Sequence, residues 1–298
     1  MSLAANLVQY LALLSRSLPA EALYPLALGA GRFLSGIQKN RLGAAEFNLE
    51  KLGVEDNRRE LAVRTLRNWA LCVSDQIRSL WLGKKGLQSF MEFEGSDNLE
   101  KTLVRGKGVI LASAHLGNYE LGGSFLASLG FPVYAVVEDI PRRHTGAMNR
   151  VRTRFGMGVV AYDDVPGMLG ILRTGGILVL VTDRDFGFNG LEMEFGKGVR
   201  RIPLGPALLA ERTGASIQLA YCIIVDESSS GICGKKVRCG RRRTAYKLII
   251  EPPLEVNTAG SLRARVASLT AVISARLACV ILSHPDQWFI FQDTWSKT

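Results

Sequence analysis

Beyond residue 100, short apolar runs alternate with longer stretches of helical pattern. Six runs are rich in β-branched and other apolar residues, which is typical of buried strands: Gly108–Ala114, Val133–Glu138, Gly158–Tyr162, Ile177–Thr182, Ile217–Val225 and Tyr246–Glu251. Helix-compatible segments lie between them: Leu121–Leu129, His144–Phe155 and Pro206–Thr213. This alternation predicts an α/β fold, with a mostly parallel central sheet flanked by helices.

Helical spacing dominates the two ends of the chain. Residues 57–83 and Ala259–Leu282 each predict a long helix, and residues 3–18 carry an apolar stripe at spacings of three and four. The chain has no internal repeat, low-complexity linker or sharp change of composition. We therefore predict a single domain, 1–298, in which residues 1–40 form an amphipathic helical cap and residues 41–298 form the α/β core.

The composition raises the question of whether the protein binds a membrane. The 298 residues include 47% hydrophobic residues and carry a formal net charge of +10, and the mean hydropathy of +0.13 is high for so basic a chain. An apolar, cationic chain suits an anionic membrane surface. The stretch between Glu21 and Arg32 is uncharged for only ten residues and contains Pro25, whereas a spanning helix needs about 20. No basic residue precedes the first apolar stripe, which disfavours a secretory signal. An interfacial helix pair and two core helices both remain open.

The positive charge is concentrated between Lys235 and Lys247, a stretch without an acidic residue. Its place between two predicted strands indicates a basic hairpin or loop, which is either a membrane contact or a solvated connection. No pattern of aromatic stacking residues interleaves these charges, and no helix-turn-helix or zinc signature is present, so we expect no nucleic-acid partner. The five cysteines form no CxxC pair and are odd in number, which indicates neither a zinc ribbon nor a complete disulfide framework and favours a reducing compartment.

His115 is the candidate for chemistry because it ends the apolar run Gly108–Ala114. In open α/β sheets, ligands and catalytic groups collect at the carboxyl ends of strands. Glu120 follows five residues later, and a turn at Gly117 and Asn118 would let its carboxylate accept a hydrogen bond from the imidazole. That bond would fix the tautomer and leave the second ring nitrogen free to accept a proton.

Other readings of this histidine are weaker but open. An acid five positions after a histidine arises by chance in roughly one case in ten, so the spacing alone is a weak signal. No second histidine or cysteine lies at metal-ligand spacing, so we expect no metal. A GxSxG nucleophile elbow is absent from the sequence, which disfavours an α/β-hydrolase.

The motif from His115 to Glu120 resembles the HxxxxD/E motif of the bacterial lipid A biosynthesis acyltransferase family, which includes phosphatidylinositol mannoside acyltransferases. A second block agrees in order and spacing: Thr182–Asp185, Gly190–Gly196, Pro203–Pro206 and Ala210–Ala215. The resemblance covers roughly residues 40–295. Two departures are the single phenylalanine, Phe195, before Gly196 and a glutamate, Glu138, where many lipid A enzymes carry arginine.

The resemblance implies a glycerolipid-acyltransferase-like fold and transfer of a fatty acyl group from acyl-CoA or acyl carrier protein to a hydroxyl of a glycolipid. It implies no cofactor beyond that co-substrate. The acceptor would be a phosphatidylinositol mannoside or a lipid A precursor, and the enzyme would be peripheral on the cytoplasmic face of the bacterial inner membrane. A glycerolipid acyltransferase is the alternative enzyme, but its expected phosphate-binding block is missing; a noncatalytic membrane-binding protein is the alternative outside enzymes.

The same resemblance assigns expected roles to individual residues. The expected catalytic residues are His115 as general base, Glu120 as its partner, Arg152, and Glu192 as a second acid beside the histidine. The expected substrate-binding residues are Asn118, Arg154, Asp183, Arg184, Asp185, Gly205 and Pro206. Oxyanion donors would be backbone N–H groups near Gly117 or a cationic side chain. Purely structural roles remain open for several of them, such as helix initiation at Pro206.

Overall fold

A computed structural model of the chain describes residues 25–27, 29, 31–32, 36, 38–138, 145–187, 189–226, 244–255 and 259–296. The described helices are α1 (Lys39–Leu52), α2 (Arg58–Ser79), α3 (Lys84–Gln88), α4 (Ser96–Leu103), α5 (Tyr119–Ser128), α6 (Thr145–Arg154), α7 (Val165–Arg173), α8 (Gly205–Thr213) and α9 (Leu262–Ser283). A short 3-10 helix, Pro285–Gln287, follows α9. The predicted cap at residues 1–40 lies largely outside the described residues.

Seven strands form the central sheet in the order β1-β9-β8-β2-β5-β3-β4. They are β1 (Met91–Glu94), β2 (Val109–Ser113), β3 (Val133–Val137), β4 (Gly158–Ala161), β5 (Ile177–Val181), β8 (Ser216–Asp226) and β9 (Thr244–Ile250). Every neighbouring pair is parallel except β8 and β9. The predicted α/β fold with a mostly parallel sheet is therefore confirmed.

Helices cover both faces of this sheet. All five residues of β2 are buried, as expected for a central parallel strand, and its side chains alternate between two cores. Residues of α7, α8 and α9 build the core on one face, and residues of α4 and α5 contribute to the core on the other. This double cover explains why the strands appear in the sequence as short continuous apolar runs.

A separate antiparallel hairpin, β6 (Leu191–Phe195) and β7 (Gly198–Ile202), follows β5 and was not predicted as a pair of strands. Its residues Phe195, Arg200 and Ile202 are buried, and along β6 the exposed Glu192 and Glu194 alternate with inward-facing apolar residues. The hairpin packs on α9, where the Ser274 hydroxyl donates to the Glu194 carbonyl over 2.8 Å. It brings Arg200 beneath the end of β5.

Helix α9 is long and apolar enough to cross a membrane, but half of its most apolar stretch is buried within the protein. Its inner face, which includes Leu269, Ile273 and Leu277, belongs to the core. The basic stretch that the sequence places before Lys247 connects β8 to β9, which are antiparallel neighbours as a hairpin requires. Residues 227–243 lie outside the described residues, and Lys247 itself belongs to β9.

Candidate active site

A cavity of about 740 Å³ opens at the carboxyl ends of β3 and β5. These strands pair only as far as Ala135 and Val179, while each continues to pair with its other neighbour. Successive residues of both strands line the cavity, and successive side chains of a strand point to opposite faces. The cavity therefore enters the split between β3 and β5 and reaches both faces of the sheet.

The walls of the cavity are mostly apolar. One side is lined by Gly123 of α5 and by Met157, which directly precedes β4. The other side is lined by residues of α7 and α8, namely Met168, Leu208 and Leu209. Ionisable side chains lie among them: His115, Glu120, Glu138, Arg152, Asp163, Arg184, Asp185 and Arg212. A volume of this size with apolar walls and a few polar groups is typical of small-molecule sites.

The loop that carries His115 is fixed by main-chain hydrogen bonds. The His115 carbonyl accepts from Phe289 N (2.8 Å), Gly117 N donates to the Gln287 carbonyl (2.8 Å), and Asn118 N donates to the Cys222 carbonyl (2.7 Å). Gly117 has φ +57°, and a Cβ there would lie 2.1 Å from the Cys222 carbonyl oxygen, so the site requires glycine. The strand-to-helix turn is thus clamped against β8 and the C-terminal segment.

The partner of His115 is Asp183, and the predicted hydrogen bond between Glu120 and His115 is wrong. The Nδ1 atom of His115 lies 2.8 Å from Asp183 Oδ1, and the backbone N–H of His115 donates to Asp183 Oδ2 over 3.0 Å. Asp183 is fully buried, whereas 19% of the His115 side chain is exposed to the cavity. Because the ionised carboxylate accepts a hydrogen bond from Nδ1–H, the tautomer of His115 is fixed and the Nε2 lone pair is free to take a proton.

Strand register explains this pairing. Strands β2 and β5 are parallel neighbours whose last paired residues are Ser113 and Val181. His115 and Asp183 each lie two residues further on, so they emerge at the same level of adjacent strands. Asp183, expected to bind substrate, instead supports the histidine from below the cavity.

The Asp183 carboxylate accepts three hydrogen bonds and is ionised. Its third donor is the Trp288 indole, whose Nε1–H lies 2.8 Å from Oδ2. Burial raises the pKa of Asp183, but the charge and hydrogen bond of His115, the Arg200 charge and the Trp288 hydrogen bond outweigh it and lower the pKa to about 2. The carboxylate is therefore available as an acceptor at any physiological pH.

Glu120 binds Arg152 instead of the histidine. Both oxygens of Glu120 accept from the guanidinium, with Arg152 Nε 2.8 Å from Oε2 and a second contact between Nη2 and Oε1. Burial lowers the pKa of Arg152, but the charge and hydrogen bond of Glu120 outweigh this effect and raise it. The ring of Tyr119 packs edge-on against His115 with centroids 5.2 Å apart, so α5 supplies both the carboxylate of the ion pair and the wall beside the histidine.

Three other residues of the expected site lie elsewhere. Asn118 is fully buried and accepts from the Gln76 side chain over 3.0 Å, behind the loop and away from the cavity. Arg154 does not line the cavity; its Nε donates to the Leu82 carbonyl at the surface. Glu192 is not placed beside the histidine, because its half-exposed side chain on β6 faces Arg201.

The remaining expected residues line the cavity. Arg184 stacks on Phe186, with 4.4 Å from its guanidinium carbon to the ring centroid, and Asp185 Oδ2 accepts from Gly190 N over 2.8 Å. Gly205 and Pro206 line the wall at the first turn of α8. Their roles toward substrate stay predictions.

Two residues that complete the site, Trp288 and Arg200, were not predicted as parts of it. Trp288 lies 105 residues beyond Asp183 and Arg200 lies 17 residues beyond it. Neither belongs to a recognised local motif, so the fold was needed to find them. The expected backbone oxyanion donors are also corrected, because the N–H groups of Gly117 and Asn118 are already bonded within the protein. Among the described residues, no cluster of His, Cys, Asp or Glu could hold a metal ion.

The fold and site define an α/β protein with a buried aspartate–histidine pair that opens on a largely apolar cavity at the strand ends. The sequence model of the bacterial lipid A biosynthesis acyltransferases matches residues 3–297, and the chain belongs to that family.

Two kinds of curated relatives agree with this assignment. A phosphatidylinositol mannoside acyltransferase of Mycobacterium tuberculosis is 27% identical over 207 residues, which cover 67% of this chain and 58% of that protein. The lipid A biosynthesis palmitoleoyltransferase of Escherichia coli is 23% identical over 248 residues, which cover 80% of this chain and 74% of that enzyme. The chain thus spans less than two thirds of the mycobacterial relatives it matches.

Proposed function

We propose that the protein transfers a fatty acyl group from an acyl thioester, either acyl-CoA or acyl carrier protein, to a hydroxyl of a glycolipid such as a phosphatidylinositol mannoside or a lipid A precursor. The observation that carries this proposal is the Asp183–His115 pair, whose free imidazole nitrogen faces an apolar cavity. A base next to a hydrocarbon-binding space is what acyl transfer to a hydroxyl requires. Membership of the acyltransferase family supports the same reaction class.

In this mechanism His115 Nε2 removes the proton of the acceptor hydroxyl as its oxygen attacks the thioester carbonyl. The new O–C bond forms, the C–S bond breaks, and the imidazolium returns its proton to the leaving thiolate. Asp183 holds the ring and stabilises its positive charge during the reaction. This role replaces the one first expected of Glu120.

We assign Glu120 to holding Arg152 in the cavity wall. The carboxylate occupies Nε and Nη2 of the guanidinium, and Asn149 accepts from Nη1 over 2.8 Å, so the cation is fixed from three sides. Since the nearby backbone N–H groups are occupied, a cationic side chain is the better candidate for stabilising the oxyanion, and Arg152 is that candidate. Arg184, Asp185, Gly205 and Pro206 are proposed to contact the substrates.

The experiment that tests the reaction uses purified protein with palmitoyl-CoA or palmitoyl-acyl carrier protein and reads out release of the free thiol. Phosphatidylinositol mannoside, a lipid A precursor and a lysophospholipid are compared as acceptors. We expect thiol release that depends on one of the two glycolipids. Release that requires only the lysophospholipid would favour the glycerolipid alternative, and none with any pair would reject acyl transfer.

The apolar cavity is proposed to hold the acyl chain, and Gly123 offers a sharp test. A Cβ at Gly123 would lie 2.8 Å from Met157 Sδ, so Gly123→Ala pushes Met157 into the cavity. We expect the variant to lower kcat/KM for the longest accepted acyl chain by about tenfold while sparing chains a few carbons shorter. The measurement is kcat/KM across a series of acyl-CoA lengths.

Gly170→Ala is the matched control, because Gly170 also lies within a helix, is exposed, and would have no neighbouring atom within 4 Å of an added Cβ. Its chain-length profile should equal that of the wild type. An unchanged profile in Gly123→Ala would place the acyl chain away from the α5 side of the cavity.

We propose peripheral attachment to the cytoplasmic face of the bacterial inner membrane, supported by the +10 charge and the basic β8–β9 connection. Cations near an anionic bilayer contribute about 1 kcal/mol each and are screened by salt. Neutralising Arg241, Arg242 and Arg243 to glutamine, or removing residues 1–20, should therefore shift the protein from anionic vesicles to the supernatant in co-sedimentation. High salt should act in the same direction, and binding indifferent to all three changes would reject this attachment.

A further inference from the structure

Arg200 on β7 is a buried cation directly beneath the aspartate of the site. Only 1% of the residue is exposed, and its guanidinium carbon lies 4.8–5.3 Å from the ring centroids of three aromatic residues: Phe195, Trp288 and Trp295. Its Nη2 donates to the main-chain carbonyl of Asp183 over 2.7 Å and also to the Thr294 hydroxyl. The β6–β7 hairpin and the C-terminal segment thus enclose one cation.

Burying the Arg200 guanidinium lowers the stability of the folded protein. Two guanidinium nitrogens, Nε and Nη1, are buried without a hydrogen-bond acceptor among the described residues. Burial lowers the pKa of Arg200 to about 10 although Asp183 and Asp293 raise it. An apolar side chain would fill the same aromatic enclosure without burying a charge or leaving donors unpaired. The guanidinium is therefore better explained by what it does to Asp183 than by core stability.

We propose that Arg200 is a positioning residue that acts on His115 through Asp183. Its hydrogen bond fixes the peptide at the end of β5, and its charge opposes protonation of the carboxylate that receives Nδ1–H. Trp288 links the two parts, because its ring faces Arg200 while its indole N–H donates to the carboxylate. The proposal rests on the proposed role of His115 as general base.

The charged groups around this arrangement define what a pH profile would report. Arg200 faces Asp183 and Arg184 beyond β5 and Asp293 in the C-terminal segment. His115 faces Asp183 and the ring of Tyr119, with the Glu120–Arg152 pair on the same helix wall. Without the Arg200 charge, the His115 imidazole accepts a proton more readily. The acidic limb of the kcat/KM profile, where kcat/KM falls with decreasing pH, should therefore move to higher pH.

The test compares Arg200→Met and Arg200→Lys with wild type, and Arg201→Met serves as matched control because Arg201 is the half-exposed neighbour on the same strand. We expect Arg200→Met to lower plateau kcat/KM about tenfold to a hundredfold and to move the acidic limb upward by about one pH unit. Arg200→Lys keeps the charge and should keep the limb, with a smaller loss of rate. Arg201→Met should match the wild type in both.

A second readout does not depend on acyl transfer. The Nδ1 proton of His115, assigned by its loss in His115→Gln, should give a protected NMR signal in the wild type and exchange faster with water in Arg200→Met. If Arg200→Met does not fold, Thr294→Val, which removes one acceptor of the guanidinium, should also speed this exchange. If the acidic limb of the kcat/KM profile and the exchange rate of the Nδ1 proton are both unchanged in the folded variants, Arg200 has only a structural role and the proposal is overturned. If the wild type shows no acyl transfer, the proposed function is overturned, but the NMR test of Arg200 still applies.

Discussion

Replacing His115 by alanine should lower kcat for acyl transfer by about 10²- to 10⁴-fold in a protein that still folds. General-base catalysis by a positioned side chain is typically worth this factor. The histidine side chain lines the cavity, but it also donates to the buried Asp183 carboxylate, so its removal should lower the free energy of unfolding by about 1–3 kcal/mol. Steady-state release of thiol from palmitoyl-CoA measures the effect, and circular dichroism checks the fold.

His284→Ala is the control for this change, because His284 ends α9 outside the cavity and its hydrogen bonds in the structure are made by the main chain. It should turn over at close to the wild-type rate. Full activity in a folded His115→Ala protein would contradict the assignment of the base.

Asp183→Asn should lower kcat by a similar factor of about 10²–10⁴, because an amide in place of the carboxylate no longer holds Nδ1–H and favours the wrong tautomer. It also leaves the Arg200 charge buried without its partner, which we expect to cost about 3–5 kcal/mol in the free energy of unfolding. Denaturant unfolding and kcat measured on the same preparation report both effects. Asp97→Asn, exposed in the first turn of α4, should change neither.

The same variant has a signature in acid. The pKa of Asp183 is about 2 in the folded protein and near 4 when unfolded, so its ionisation contributes stability that is present above about pH 4 and is lost as pH falls toward 2. This contribution is about 2 kcal/mol. In Asp183→Asn the free energy of unfolding should therefore fall less steeply with acid over that range, and an equal slope would contradict an ionised Asp183.

Six of the seven strands of the sheet were predictable because they appear in the sequence as short apolar runs, as is typical of strands covered by helices. The edge strand β1, which has two glutamates among its four residues, was not predicted. The run Gly108–Ala114 became β2, and His115 at its end faces the cavity as the rule for open α/β sheets requires. The hairpin β6–β7 was missed because charged residues alternate with the apolar ones along its strands.

The partner of His115 was not predictable from local spacing. Glu120 is near in sequence, but the first turn of α5 directs it to Arg152, whereas Asp183 is 68 residues away and becomes adjacent only because β5 lies beside β2. Strand order is a property of the whole fold. Trp288 is 105 residues from Asp183 and likewise depends on the whole fold. Arg200 is on the hairpin that follows β5, but no local pattern indicates that this hairpin folds back beneath the end of that strand.

Mass spectrometry of the acceptor lipid tests the central claim most directly. The purified protein is incubated with palmitoyl-CoA and the glycolipid acceptor, in parallel with His115→Ala. We predict that the wild type adds the mass of one palmitoyl group to the acceptor through a base-labile ester and that the variant leaves the acceptor almost unchanged. Release of free palmitate with an unmodified acceptor, or equal product from the folded variant, would contradict a hydroxyl acyl transfer driven by His115.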